Sequence, residues 1–379
     1  MIALVMSVSL PMTTYAANWY LEDGSVTVNA DNSGQTVTQG SGSAVPDEAP
    51  VITQRGSSAE TSNTITINAS ENATANVTIS NVNIGTSSAA IATSGKGNVN
   101  IELDGTNTLK SGREHAGLEK SQDGKLTITD ENENGKLIAT GGQYGAGIGG
   151  GFYEGGKNIT IAGGKVTANG GDYGAGIGGG QEGDGSNITI TGGEVTAAGG
   201  TNGAGIGGGL RKEGEKITVS GDATLKVQGG LTDEWDGAGA GIGNGGSHNG
   251  DFLSGTIPVN GAETEPDTSN LTTGKIEYYA PGADMTKDEP TSTTFGSLVQ
   301  PEPASPGETA APVECRMQTS ASEPVQGNGK STGYKAPVQG HFYQVVGQDG
   351  KDMIFATAQK KDVLAIATDS DFAMLTGKM

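Results

Sequence analysis

A short alternation, apolar–polar–apolar, returns along this chain at a near-constant interval. It stands at Ile65-Thr66-Ile67, Val77-Thr78-Ile79, Val99-Asn100-Ile101, Leu126-Thr127-Ile128, Ile159-Thr160-Ile161, Ile188-Thr189-Ile190 and Ile217-Thr218-Val219. From Val77 onward the intervals are 22, 27, 33, 29 and 29 residues. Two further series keep step with the later copies. One is Val166-Thr167-Ala168, Val195-Thr196-Ala197 and Leu225-Lys226-Val227. The other is Gly-Ala-Gly-Ile-Gly at 145–149, 174–178, 203–207 and, after an inserted stretch, 239–243. Each unit therefore holds three short extended pieces separated by glycine-rich corners.

A unit of this size cannot bury an apolar face by itself, so successive units must stack. Side chains alternate along a strand, which turns Ile159 and Ile161 inward and Thr160 outward. The same holds for Ile188, Ile190 and Thr189. Coils stacked about 4.8 Å apart would then build an apolar ladder inside a slender tube. Glycine pairs such as Gly163-Gly164 and Gly192-Gly193 suit corners that need positive φ or close backbone approach. Ala146, Ala175 and Ala204 suit a face with no room for more. The expected fold is all-β: a single-stranded parallel β-helix, right-handed by the rule for parallel crossovers. A β-sandwich or an array of hairpins is the competing expectation. Strands of three or four residues at a kept repeat length argue against it.

Composition agrees with a thin core. The 379 residues include 66 glycines, and aromatics are only 4%. The formal charge of −21 argues against a nucleic-acid backbone or an anionic membrane surface, both of which call for clustered Lys and Arg. The single Cys315 allows no intrachain disulfide. No segment reaches 18 consecutive apolar residues, so no membrane insertion is expected.

Six regions follow. Residues 1–17 read as a signal peptide, with an apolar run and small residues at Ala16 and Ala17. Residues 18–62 are expected to form an N-terminal β cap, 63–250 the β-helix, and 251–299 an irregular β extension. Residues 300–340, rich in Pro, Glu, Ser and Gly, read as a linker. Residues 341–379 read as a small β segment with a hairpin turn at Asp349-Gly350. The expected localisation is secreted or cell-surface, and the expected state is monomeric.

The chain shows no concentrated catalytic motif. His115, His248 and His341 have no local companions at zinc-ligand spacing, and no cofactor is implied. Asp130, Asn132 and Asn134, before Gly135, match the first half of a calcium loop. The closing bidentate Glu is missing, since Gly141 stands there; an acidic turn competes with weak Ca²⁺ binding. Glu154, Glu182, Asp184, Glu213 and Glu215 are the acids that a sugar-cleaving groove would draw on. Tyr144, Phe152, Tyr153, Tyr173 and Trp235 are candidate glycan platforms, because an aromatic ring offers a rigid apolar face. Tyr144 and Tyr173 precede the same Gly-Ala-Gly-Ile-Gly element 29 residues apart and should stack one coil apart. Shielding of the backbone at corners is the competing role for these rings.

The run Gly-Ala-Gly-Ile-Gly-Gly-Gly at 174–180, followed by Asn-Ile-Thr-Ile at 187–190, resembles a family of secreted or wall-associated proteins of gut Firmicutes. So do Gly97–Gly105 and His115–Lys120. The likeness covers about residues 18–250. Proteins of that family are commonly labelled carbohydrate-binding, which implies a glycan ligand without assigning site residues. The expectation is thus an extracellular, non-catalytic adhesive scaffold contacting a polysaccharide or glycoprotein glycan. The alternatives are a protein-binding surface module and a polysaccharide-degrading β-helix enzyme.

Overall fold

The computed structural model describes residues 17–297, apart from 57–58, 122 and 252–254, together with six short strands between 315 and 376. Of the expected signal, residues 1–17, all but Ala17 lie outside the described residues. The chain forms two units, 1–299 and 300–379.

The first unit is a parallel β-solenoid with three faces. The first face stacks eight strands: Asn18–Tyr20, Val51–Thr53, Thr74–Ser80, Asn98–Asp104, Leu126–Thr129, Gly156–Ile161, Gly185–Ile190 and Gly214–Val219. The second face runs from Asn83–Gly85 through Lys165–Asn169 and Glu194–Ala198 to Lys275–Tyr279. The third face carries Val26–Asp31, Ile65–Ala69, Ile91–Gly95 and Leu118–Lys120, then the two-residue strands Ile148–Gly149, Ile177–Gly178, Ile206–Gly207 and Ile242–Gly243.

The register supplies the ladder that the alternation predicts. Leu126, Ile159, Ile188 and Ile217 are direct neighbours, as are Ile128, Ile161, Ile190 and Val219. Leu137, Val166, Val195, Leu225 and Ile276 line the second face, and Ile148, Ile177, Ile206 and Ile242 the third. All of these side chains are buried. Burying each is worth about 1.5–3 kcal/mol relative to exposure. Thr160 differs from its outward expectation in one respect: it is only 8% exposed, set in its column between Thr127 and Thr189.

Glycine is required where the rungs touch. Gly149, Gly178, Gly207 and Gly243 all have φ between 136° and 138°. A Cβ on Gly178 would stand 2.0 Å from the Gly207 carbonyl oxygen of the next rung. Asparagine takes another left-handed corner. Asn158 and Asn187 (φ 57° and 56°) stack, with the Asn187 amide donating to the Asn158 side-chain oxygen.

The coil is longer than 63–250. Asn18–Tyr20 and Val51–Thr53 already pair in parallel on the first face. The antiparallel hairpin Val26–Asp31/Gly34–Gln39 closes that end of the third face. At the other end Lys275–Tyr279 stacks in register on Thr224–Gln228, and Ser292–Phe295 then pairs with it antiparallel. These terminal strands deviate in sequence because they cover the last rungs, where a repeat-like strand would leave an open edge. Ser247–Asp251 and Gly255–Val259 form a hairpin outside the stack.

In the second unit, the six strands form one antiparallel sheet. Cys315–Thr319 and Pro324–Gly327 belong to it, inside the stretch expected as a linker. Tyr343–Val346 pairs with Asp352–Phe355; the Asp349-Gly350 turn itself lies outside the described residues.

A lysine is among the buried charged side chains. Lys120, 2% exposed, follows Leu118 on the third face beside Thr93. Burial pushes its ammonium down to about 8, with Lys157 adding to the shift.

Two outcomes follow from this packing. Gly178→Ala should cost about 3 kcal/mol or more in chemical denaturation, since the added carbon meets backbone that cannot move without shifting a rung. Lys120 is charged more readily in the unfolded chain, so the unfolded state binds the extra proton between pH 8 and 10.5. Stability should therefore rise with pH across that window, by an amount on the order of 2–3 kcal/mol. Lys120→Met should flatten the rise when denaturation midpoints are compared across pH.

Candidate functional site

The third-face strands Ile148–Gly149 and Ile177–Gly178 are two residues long, so the corners before and after each of them meet along one edge of the rod. Backbone bonds lock the two corners together: Phe152 N–H to the Glu114 carbonyl (2.8 Å), Gln181 N–H to Tyr144 (2.7 Å) and Leu210 N–H to Tyr173 (2.9 Å). This edge gathers four of the five predicted aromatics into one cluster. The Tyr144 and Tyr173 rings stack one rung apart, with centroids 5.9 Å apart and planes 18° from parallel. Phe152 lies 4.9 Å from Tyr144, and Tyr153 lies 3.9 Å from Phe152. Arg113 covers the Tyr144 ring at 4.7 Å, donates to its hydroxyl, and donates to the Gln143 side chain at 2.9 Å.

Tyr153 is the outermost ring, 66% exposed, on a left-handed backbone with φ 61°. Its equivalents one and two rungs on, Glu182 and Arg211, share that conformation (φ 58° and 61°). An L-residue costs roughly 1–2 kcal/mol there, which glycine or asparagine would largely avoid. The left-handed corner thus belongs to the column, and in this rung it presents an aromatic ring to solvent.

Carboxylates border the rings. Glu119 accepts from Ala116 N–H (3.1 Å) and pairs with His115 Nδ1 (2.9 Å). Glu154 follows Tyr153 directly. Desolvation, then the charge of Glu119, raise its carboxyl above the usual range. The edge thus combines an apolar platform, a guanidinium and two carboxyl side chains.

Two rungs further, the inserted loop 229–238 joins the same edge and ends the aromatic column. Asn202, which follows Tyr144 and Tyr173 in that column, is fully buried. Its amide donates to the carbonyls of Asp236 (3.0 Å) and Gly237 (2.9 Å). Arg211 grips Asp236 with two bonds (2.9 and 2.7 Å), and His248 Nδ1 meets the same carboxylate at 2.7 Å. Burial raises the Asp236 carboxyl, but the Arg211 and His248 hydrogen bonds outweigh it and hold the group below its ordinary range. Trp235, the fifth predicted aromatic, rides on this loop and is 44% exposed. Burial, then Asp233 of the loop and Asp172, raise the Tyr173 phenol.

Sequence reasoning passed over Arg113, Glu119 and the Arg211–Asp236–His248 network. Glu119 lies four residues after His115, a companion visible in the sequence. Asp236 and His248 are separated by a hairpin-forming segment, and only the fold brings them together.

Asp130, Asn132 and Asn134 fall in the turn between Leu126–Thr129 and Lys136–Thr140. The Asp130 carboxylate accepts from Asn134 N–H (3.2 Å) and Gly135 N–H (2.9 Å), and the Asn134 amide donates to Asp104 (2.9 Å). The geometry is that of a turn closed on its own backbone. Among the described residues, no three His, Cys, Asp or Glu side chains are grouped to hold a metal ion.

The sequence model of the β-helix repeat family matches residues 133–152, 159–181 and 188–210, so the chain contains a β-helix repeat domain. No curated protein and no solved structure matches the chain.

If the Tyr153 ring is not part of the packing, Tyr153→Asn should leave stability unchanged or raise it by up to about 1 kcal/mol. A thermal or chemical melt reads this; a loss beyond about 1 kcal/mol would assign the ring to the fold.

Proposed function

We infer that this protein is an extracellular, non-catalytic scaffold whose aromatic edge contacts carbohydrate. The observation that carries this is the contiguous ring surface of Tyr144, Tyr173, Phe152 and the exposed, left-handed Tyr153. The β-helix is a stiff rod that sets these rings at rung spacing, about 4.8 Å, without a hinge. Sugar rings pair an apolar face with equatorial hydroxyls. Tyr153 offers an apolar partner, and Arg113, Gln143 and Glu182 on the flanking positions supply donors and acceptors. Such contacts add through many weak repeats, which suits adhesion to a polymer. The sequence resemblance to proteins labelled carbohydrate-binding supports the same reading.

Cleavage of a polysaccharide is the second reading, and the Glu119–Glu154 pair beside the platform is what favours it. A carboxyl that burial and a neighbouring carboxylate raise above its ordinary range is the kind of group that glycoside hydrolysis uses as its acid. Release of new reducing ends by the protein, lost in Glu154→Gln, would replace the scaffold reading.

Screening the full chain against a polysaccharide and glycan array, then titrating the best ligand, tests the proposal. Tyr153→Asn should weaken binding at least fivefold, and the Tyr144→Ala/Tyr173→Ala pair at least tenfold, with β-sheet circular dichroism retained. A folded protein that binds no glycan, or binds undiminished in both variants, would overturn the reading.

A further inference from the structure

The stack of rungs ends at an opening. On the second face Lys275–Tyr279 is the last parallel strand, and its Tyr278 takes the inward position over Val227, against the end of the core. On the third face Ile242–Gly243 is the last strand, and a side chain stands in for the next one. The Glu263 carboxylate accepts from Gly241 N–H (2.7 Å) and Ile242 N–H (3.0 Å), and Thr264 N–H bonds to the Ile242 carbonyl (2.8 Å). Between these elements lies an open cavity of about 640 Å³, lined by Glu263, Thr264, Glu265, Pro266, Tyr278 and Ser292, among others.

The lining says what would fit. The volume falls within the roughly 300–1,000 Å³ of small-ligand sites. Neither Lys nor Arg lines the cavity, and two glutamates do, so an anionic ligand is disfavoured. The Tyr278 hydroxyl has no hydrogen-bond partner among the described residues. Burial, then Glu263 and Glu265, push this phenol up to about 12, so it stays a donor at any ordinary pH. The wall is fixed: Thr264 Oγ1 donates to the Gly214 carbonyl (2.8 Å) and Thr291 Oγ1 to the Tyr278 carbonyl (2.9 Å). An aromatic ring, a free phenol donor, a carboxylate acceptor in Glu265 and surrounding hydroxyls match an uncharged, hydroxyl-rich ring. A protonated amine would meet the carboxylates but would leave the phenol proton facing a positive charge.

We propose that this cavity at the end of the rod is a saccharide-binding site that takes one neutral sugar ring, with Tyr278 as its platform and Tyr278 and Glu265 as its donor and acceptor. It is built from residues separate from the aromatic edge and does not depend on that edge binding anything.

Saturation-transfer NMR and calorimetry of the full chain test this, with glucose, galactose, mannose, N-acetylglucosamine, maltose and lactose as probes and tetramethylammonium chloride as the cationic control. At least one sugar should bind. Ser292→Trp, which fills the cavity from the strand residue opposite Tyr278, should weaken it at least tenfold. Tyr278→Phe, which keeps the ring and removes the donor, should weaken it about fivefold, and Tyr153→Asn should leave it unchanged. The proposal is overturned by any of three results in folded protein: no sugar binds, Ser292→Trp binds as well as the parent, or tetramethylammonium binds in preference to every sugar. Binding abolished by Tyr153→Asn alone would likewise overturn it, while supporting the edge. Sugar binding lost only in Ser292→Trp and Tyr278→Phe would support the cavity and leave the edge to the array experiment.

Discussion

The backbone hydrogen bonds between parallel rungs hold everything else in place. They fix a vertical spacing of about 4.8 Å, and every residue must accept whatever sits one spacing above and below it. Inside the tube this makes like stack on like, so that Ile159, Ile188 and Ile217 share one column. At the crowded third face it forbids a side chain altogether, because a Cβ on Gly149, Gly178 or Gly207 would fall 2.0 Å from a carbonyl oxygen of the next rung. The high glycine content is thus the consequence of close stacking rather than of flexibility. Glycine's entropic cost on folding is offset by the ladder bonds and the apolar column that this spacing permits.

Variation is pushed to the corners. A corner column tolerates any residue whose backbone can make the turn, and the 153/182/211 column shows how much: Tyr, Glu and Arg all occupy a left-handed conformation there. The edge beside the third face is therefore where chemistry accumulates. Two corners meet across a two-residue strand, which places Phe152 against Tyr144 although eight residues separate them. Higher up, the inserted loop 229–238 uses the same edge. It is pinned by the buried Asn202 amide and by the bidentate Arg211–Asp236 pair, the kind of charge-assisted contact that fixes geometry as well as adding energy.

The two ends solve a different problem. A parallel stack leaves unpaired N–H and C=O groups at its last rung, and exposed edges invite pairing with other chains. A hairpin closes the third face at the N-terminal end. At the C-terminal end an antiparallel strand, a segment with a Glu263 carboxylate on two backbone N–H groups, and the Tyr278 ring share the task. Closure by these unlike pieces leaves a concavity of mixed apolar and polar lining.

The 29-residue spacing, the alternation of apolar side chains and the recurring Gly-Ala-Gly-Ile-Gly run determined the parallel solenoid, its three faces and its inward columns. Those depend on local periodicity, which is written along the chain and only needs neighbouring rungs to express it. The stacking of Tyr144 on Tyr173 was legible for the same reason, as a pair one repeat apart. The length of the coil was not. Trp19 and Tyr278 lie in terminal rungs that abandon the repeat because they must cover it, so no period marks them. Nor was the company around the rings legible: Glu119 with Glu154, Arg211 with Asp236 and His248, and the cavity over Tyr278 join residues from different rungs or from an insertion. Which of them meet depends on how many residues each corner spends before the next strand begins, and only the folded chain settles that count.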